Sequence, residues 1–119
     1  MANTTSELYE KHPDWVLKAS ERDVVLGRGG TQVVLDLANP AVQDFVFGVV
    51  DNLMTSYPEI DYIKWDANMS VQNHGSQYLT KDNQSHMYIE FHRGFEKICQ
   101  RIRAKYPDLT IQACASGGG

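Results

Sequence analysis

Three segments of the chain have features that are typical of β-strands. Residues 60–66 and 109–114 alternate between two sets of side chains, and residues 32–37 form a shorter, Val-rich segment. Because successive side chains of a strand point to opposite faces, each alternating segment predicts a strand with two different faces, and residues 32–37 predict a third, short strand.

Helical periodicity fills the intervals between these strands. Asn39 is placed to cap a helix that stops near Tyr57, and Asp82 or Asn83 is placed to cap a second helix that ends near Tyr106. The apolar stripes of the two helices consist of Val42, Phe45, Val49 and Leu53, and of Tyr88, Phe91, Phe95, Ile98 and Ile102. Spacings of three and four residues put each stripe on one helical face.

The order of these elements predicts an α/β fold. Strands alternate with helices over short connections, which predicts about three parallel strands joined by right-handed crossovers. A further short helix is predicted over residues 5–11, with Thr5 or Ser6 as its N-cap. A complete flavodoxin-like domain is a weaker alternative, because three strands with two crossovers seldom cover both faces of a sheet.

Composition excludes several classes of partner. The chain has 119 residues, of which 42% are hydrophobic and 22% charged, with a net charge of -4. This mildly acidic balance argues against nucleic acid or an anionic membrane surface as a partner. The sequence has no apolar run of the roughly 18 residues that a membrane span needs, and no signal pattern at the N-terminus. The compartment stays open.

The end of the strand over residues 60–66 carries the candidate chemistry. Lys64 and Asp66 are two residues apart on one face, and Asn68 follows where the strand runs out. An ammonium group beside a carboxylate favours the ionised carboxylate, as a nucleophile requires. A salt-linked strand end without catalytic function, and a metal site that adds His74, are the alternatives. Trp65 points to the opposite face and is predicted to be core.

Four stretches together resemble the family 36 glycoside hydrolases, the retaining α-galactosidases. Residues 64–68 read Lys-Trp-Asp-Ala-Asn, with Ala67 where that family usually has Met, and residues 114–119 read Cys-Ala-Ser-Gly-Gly-Gly. Residues 6–15 and the Gly27-Arg28 pair before residues 32–36 agree as well. The matches follow the family order over nearly the whole chain.

The resemblance implies a fold and a set of site residues. An ordinary (β/α)8 barrel needs about 250 residues, so residues 1–119 are expected to be a partial TIM barrel, a fragment of the catalytic domain that is incomplete at both ends. Asp66 is implied as the nucleophile that forms a covalent glycosyl-aspartate intermediate. Implied substrate contacts are Arg28, Lys64, Asn68, Cys114 and Gly117. Gly29 and Gly30 look like a two-residue insertion relative to the family, directly after Arg28.

The resemblance also sets expectations for activity. The intact enzyme would hydrolyse terminal α-linked galactose from oligosaccharides without any cofactor or metal. The acid/base carboxyl would lie beyond residue 119, so the isolated fragment is expected to be inactive and prone to self-association. Homo-oligomer formation stays open. Alternatives are family members that transfer galactose or act on α-N-acetylgalactosamine, and, from another class, a non-catalytic sugar-binding or assembly module.

Overall fold

The computed structural model describes residues 1–27, 29–71 and 74–115, which form a mixed α/β arrangement. Its strands and α-helices are, in chain order, β1 (Ala2–Asn3), α1 (Glu7–Lys11), β2 (Gln32–Val33), α2 (Pro40–Ser56), β3 (Tyr62–Asp66), α3 (Met87–Lys105) and β4 (Thr110–Cys114). Short 3-10 helices occupy Pro13–Trp15 and Lys81–His86. Within the described ranges, no helix has both the length and the apolar character needed to cross a membrane.

Strands β3 and β4 form a parallel pair with α3 between them in sequence. The register aligns Lys64 with Gln112 and Asp66 with Cys114. Beyond the end of β3, the amide of Ala67 donates to the carbonyl of Cys114 at 2.8 Å, which continues the ladder by one residue. This pairing confirms two of the predicted strands and their relative direction.

Among the described residues, the first predicted strand does not pair with the other two. It is limited to Gln32–Val33, and it pairs antiparallel with β1. In the next residues, the amide of Leu17 donates to the carbonyl of Val34 at 2.9 Å, and the amide of Asp36 donates to the carbonyl of Trp15 at 2.7 Å. Residues near the N-terminus therefore form hydrogen bonds with the backbone of this segment, and the described structure does not join it to β3 and β4 in one parallel sheet.

Helix α2 begins as predicted but buries a different face. The side chain of Asn39 accepts a hydrogen bond from the amide of Ala41 at 2.9 Å, and Pro40 follows it in the first turn. Val42, Val50 and Met54 are buried, whereas Phe45, Val49 and Leu53 are exposed. The helix is apolar on more than one face, so the buried set and the exposed set of apolar residues both have helical spacing. Packing against α3 and the β3–β4 pair decides which stripe is buried.

Helix α3 begins later than the sequence predicts. Lys81–His86 is a 3-10 helix, and neither Asp82 nor Asn83 caps an α-helix. Met87, the first residue of α3, is buried, while its neighbour Tyr88 is exposed. The remaining residues of the predicted stripe, Phe91, Phe95, Ile98 and Ile102, are half-buried or buried as expected.

The main core lies between the two long helices and one face of the β3–β4 pair. Its buried members are Val50, Met54, Ile98, Ile102 and Leu109. Trp65 of β3 packs against this cluster and meets the ring of Phe95 edge-on, with ring centroids 5.4 Å apart. This packing confirms Trp65 as core. The opposite face of the strand pair does not contribute to this core.

Candidate active site

The face of the β3–β4 pair that points away from the helices is polar. Lys64 and Asp66 lie on this face of β3, and the register places Gln112 and Cys114 beside them on β4. At the start of β3, the hydroxyl of Tyr62 donates to the side-chain carbonyl of Gln112. The polar groups therefore line the strands from their starts to their carboxyl ends.

Lys64 and Asp66 meet, as their spacing predicts. The Nζ atom of Lys64 lies 3.8 Å from Oδ2 of Asp66, and the two side chains are 51% and 39% exposed. An ion pair this accessible contributes about 0–1 kcal/mol, since water screens it and both side chains lose freedom. The pair therefore adds little to the stability of the fold.

The structure brings Cys114 to the same strand end. Cys114 is a free, half-buried thiol that is aligned with Asp66 in the register. Asn68 is half-buried and comes two residues after the end of β3. Arg28 and Gly117, the other two predicted substrate contacts, lie outside the described residues.

Two residues on this face were missed by sequence reasoning. Gln112 is aligned with Lys64, and Tyr62 holds the Gln112 side chain by a hydrogen bond. The available signal was the alternation itself, because Gln112 precedes Cys114 by two residues and so shares its face.

A buried carboxyl group lies behind the loop that follows Asp66. Asp36 is fully buried, and its Oδ2 accepts a hydrogen bond from the hydroxyl of Ser76 at 2.5 Å. Its Oδ1 accepts from the amide of Ala38 at 3.0 Å. Burial raises the pKa of Asp36, and the hydrogen bonds from Ser76 and from the backbone of Ala38 and Tyr78 oppose that rise.

Two cavities among the described residues lie away from the predicted site. One, of about 480 Å³, is lined by Tyr9, Asp14 and Lys18 among others, and a second, of about 350 Å³, lies near Glu59 and Asp108. Neither includes Lys64, Asp66, Asn68 or Cys114 in its lining. The side chains of Lys64 and Asp66 are accessible on their face of β3. Among the described residues, no three or more His, Cys, Asp and Glu side chains are grouped to hold a metal ion.

Comparison with protein families identifies the class. The family model described as Melibiase matches residues 1–119, and the chain belongs to that family. The resemblance to family 36 α-galactosidases is thereby confirmed, and the relatives and solved structures agree with it.

The relatives share about a third of their aligned residues with this chain. Alpha-galactosidase 2 of Pediococcus pentosaceus is 37% identical over 119 residues, which are 100% of this chain and 16% of that protein. Alpha-galactosidase AgaA of Geobacillus stearothermophilus is 34% identical over the same length, again 16% of that protein. Alpha-galactosidase C of Emericella nidulans is 35% identical over all 119 residues, 14% of that protein. The chain thus spans about one seventh to one sixth of these relatives.

Solved structures match the fold of the chain closely. The α-galactosidase from Lactobacillus brevis superposes with a TM-score of 0.89 at 36% identity, covering 98% of this chain and 15% of that one. A variant of the family 36 enzyme AgaA from Geobacillus stearothermophilus, in complex with raffinose, gives a TM-score of 0.87 at 31% identity and covers 99% of this chain and 16% of its own. Another AgaA variant, in complex with stachyose, gives 0.84 at 32% identity, over 96% of this chain and 16% of its own.

Proposed function

We propose that the protein carrying this chain is a retaining α-galactosidase in which Asp66 is the nucleophile. The observation that carries the proposal is the junction of β3 and β4. There, Lys64, Asp66 and Cys114 share one polar strand end in a chain of the Melibiase family. The accessible ion pair adds little stability, so a functional role explains its position better than a structural one.

The proposed reaction proceeds in two displacements. A carboxylate oxygen of Asp66 attacks the anomeric carbon of an α-linked galactose and forms a C–O bond as the glycosidic C–O bond breaks. A second carboxyl group, about 5 Å away in retaining enzymes, gives its proton to the leaving oxygen. That group then takes a proton from water, whose oxygen displaces Asp66 and releases galactose with its original anomeric configuration.

We propose that residues 1–119 form part of a (β/α)8 barrel, with the acid/base carboxyl group and further sugar contacts supplied by the rest of the full-length protein. Parallel β3 and β4, with a helix between them, match one unit of such a barrel. Active sites of these barrels lie at the carboxyl ends of the strands, which is where Asp66 lies. The polar face would then line the barrel interior.

The proposed substrates are α-galactoside oligosaccharides. Complexes of AgaA variants with raffinose and stachyose support this class of substrate. We infer that Lys64 supports the charge of Asp66 and donates to sugar hydroxyls. The other proposed substrate contacts are Arg28, Asn68, Cys114 and Gly117.

Hydrolysis by the full-length protein tests this function. We expect an aryl α-galactoside to be cleaved and the matching α-glucoside to be spared. A mechanism-based 2-deoxy-2-fluoro glycosyl reagent should attach covalently to the peptide that contains Asp66, which mass spectrometry would identify. A well-folded protein that cleaves neither substrate, or that carries the label elsewhere, would remove the proposal in favour of a sugar-binding module.

Replacement of Lys64 should weaken catalysis less severely than replacement of the nucleophile. Lys64→Met keeps the side-chain length but removes the ammonium, and a lost charge-assisted hydrogen bond costs about 1.5–3 kcal/mol, or roughly 10- to 150-fold in kcat/KM. Steady-state kinetics on the aryl α-galactoside measure this loss. Lys81→Met, at an exposed position, is the matched control. Equal kcat/KM for both variants would exclude Lys64 from the site.

A further inference from the structure

Asp36 connects three segments of the chain at one buried point. Its amide donates to the carbonyl of Trp15, and its side chain accepts from the hydroxyl of Ser76, 40 residues later. Asp36 also ends the segment that begins at Gln32. The backbone of Gln32 exchanges two hydrogen bonds with the backbone of Gly27, at 2.8 and 3.1 Å. Gly27 directly precedes Arg28, one of the proposed sugar contacts.

Ser76 organises the far end of the loop that starts after Asp66. Its hydroxyl oxygen accepts from the amides of Tyr78 at 3.2 Å and Leu79 at 2.9 Å while its proton goes to Asp36. The side chain of Gln84 donates to the carbonyls of Ser76 and Leu79, both at 2.8 Å, and accepts from the amide of Ser76 at 3.0 Å. These bonds hold residues 76–79 in one conformation.

The near end of the same loop contacts the Gly27 segment. A Cβ atom placed on Gly27 would lie 2.6 Å from the sulfur of Met69, so the two segments are in close contact. Met69 and Val71 also pack on the buried cluster that contains Leu17 and Val34. Met69 and Val71 are thus held by packing, and residues 76–79 are held by hydrogen bonds that include the one from Ser76 to Asp36.

We propose that Asp36, acting through Ser76, is a positioning residue for the nucleophile Asp66, because it anchors residues 76–79, which follow Asp66 in the chain, to the segment that begins at Gln32. This inference rests on the proposed function. Among the described residues, no ion pair includes Asp36. Hydroxyl and backbone N–H groups supply its partners, and such donors require a carboxylate oxygen in a fixed place.

Two variants of the full-length protein test the role of Asp36. Asp36→Asn keeps the shape but replaces one acceptor oxygen with an NH2 group, so that either the Ser76 hydroxyl or the Ala38 amide loses its acceptor. Ser76→Ala removes the hydroxyl. Because a displacement of about 1 Å at a reacting group can cost 10²-fold, we expect kcat for an aryl α-galactoside to fall about 10- to 100-fold in each variant. KM should change far less, since the proposed sugar contacts outside the loop remain. The kcat of the double variant should be no lower than that of the less active single variant, because both changes break the same connection.

The controls separate positioning from general loss of stability. All rates are measured well below the apparent Tm of each variant. Asn83→Ala removes an exposed side-chain hydrogen bond from Asn83, in the neighbouring 3-10 helix, to Thr80. This variant should keep the original kcat. In the unsubstituted protein, the amides of Tyr78 and Leu79 should be protected from hydrogen exchange, and Ser76→Ala should remove that protection.

Several outcomes would overturn the inference. These are an unchanged kcat in folded Asp36→Asn or Ser76→Ala, a loss confined to KM, or additive losses in the double variant. Should both variants fail to fold, rapid exchange of the Tyr78 and Leu79 amides in the unsubstituted protein would still reject the positioning role of Asp36, and slow exchange would support it. Absence of galactoside hydrolysis by the unsubstituted protein would instead reject the proposed function itself.

Discussion

Asp66→Gly should abolish hydrolysis of an aryl α-galactoside by the full-length protein. The substitution removes the oxygen that forms the glycosyl-enzyme bond, and loss of a covalent nucleophile in a hydrolase can cost about 10⁴- to 10⁶-fold in kcat. Lys64, which lies 3.8 Å from the Asp66 carboxylate, would remain and could not replace it. Steady-state kinetics on the purified protein, with the thermal transition measured in parallel, give the loss.

Added azide should restore part of the activity of Asp66→Gly. The small anion would enter the space left by the carboxylate and attack the anomeric carbon from the face that Asp66 would use. One displacement instead of two yields the β-galactosyl azide, so the product itself reports the position of the missing group. Formation of that azide identifies Asp66 as the nucleophile, whereas rescue by azide cannot occur if Asp66 only neutralises Lys64.

Asp61→Gly is the matched control. Asp61 precedes the same strand at its opposite end and is exposed, and its backbone carbonyl accepts from the amide of Thr110 at 2.9 Å, a bond that the substitution leaves intact. We expect activity close to that of the unsubstituted protein. Equal losses in Asp61→Gly and Asp66→Gly would point to damage to β3 and would contradict the nucleophile assignment.

The junction that carries the candidate site could be predicted from the sequence because its signals are local. Alternation over residues 60–66 and 109–114 fixed both strands, and a face shared at a spacing of two residues placed Lys64 beside Asp66. The connections between helix and strand were equally visible, since Tyr57 and Tyr106 each precede a proline. Each of these features depends on residues close together in the chain.

Features that depend on distant residues could not be predicted. The contact with α3 decides which face of α2 is buried. In the sequence, a stripe that includes Phe45 and one that includes Val46 both have helical spacing, so the pattern does not show which one faces the core. The sequence around Asp36 does not indicate that this residue is buried, because its partner Ser76 lies in a loop 40 residues later. The antiparallel partner of β2 likewise comes from the N-terminus, where two residues carry no strand pattern.

Gly94→Ala should strongly destabilise the fold, although alanine is the better helix former. Gly94 is buried inside α3, and a Cβ atom there would lie 1.8 Å from the carbonyl oxygen of Leu37 and 2.7 Å from its carbon. That carbonyl cannot withdraw freely, because it accepts from the side chain of Gln43 at 2.8 Å and adjoins Asp36. Separation of α3 from this backbone, or a shift of Leu37, should cost about 3 kcal/mol or more, at the upper end of overpacking effects.

Gly48→Ala should change the stability of the fold in the opposite direction, and it serves as the control for Gly94→Ala. Gly48 lies inside α2, and a Cβ atom there would meet no other atom within 4 Å. Alanine at such an open helical site stabilises by about 0.5–1 kcal/mol relative to glycine. The apparent Tm and soluble yield of the full-length protein should therefore fall sharply for Gly94→Ala and hold or rise for Gly48→Ala. A rise in Tm for both variants would mean that Leu37 does not approach α3 this closely, because helix propensity alone would then determine the two effects.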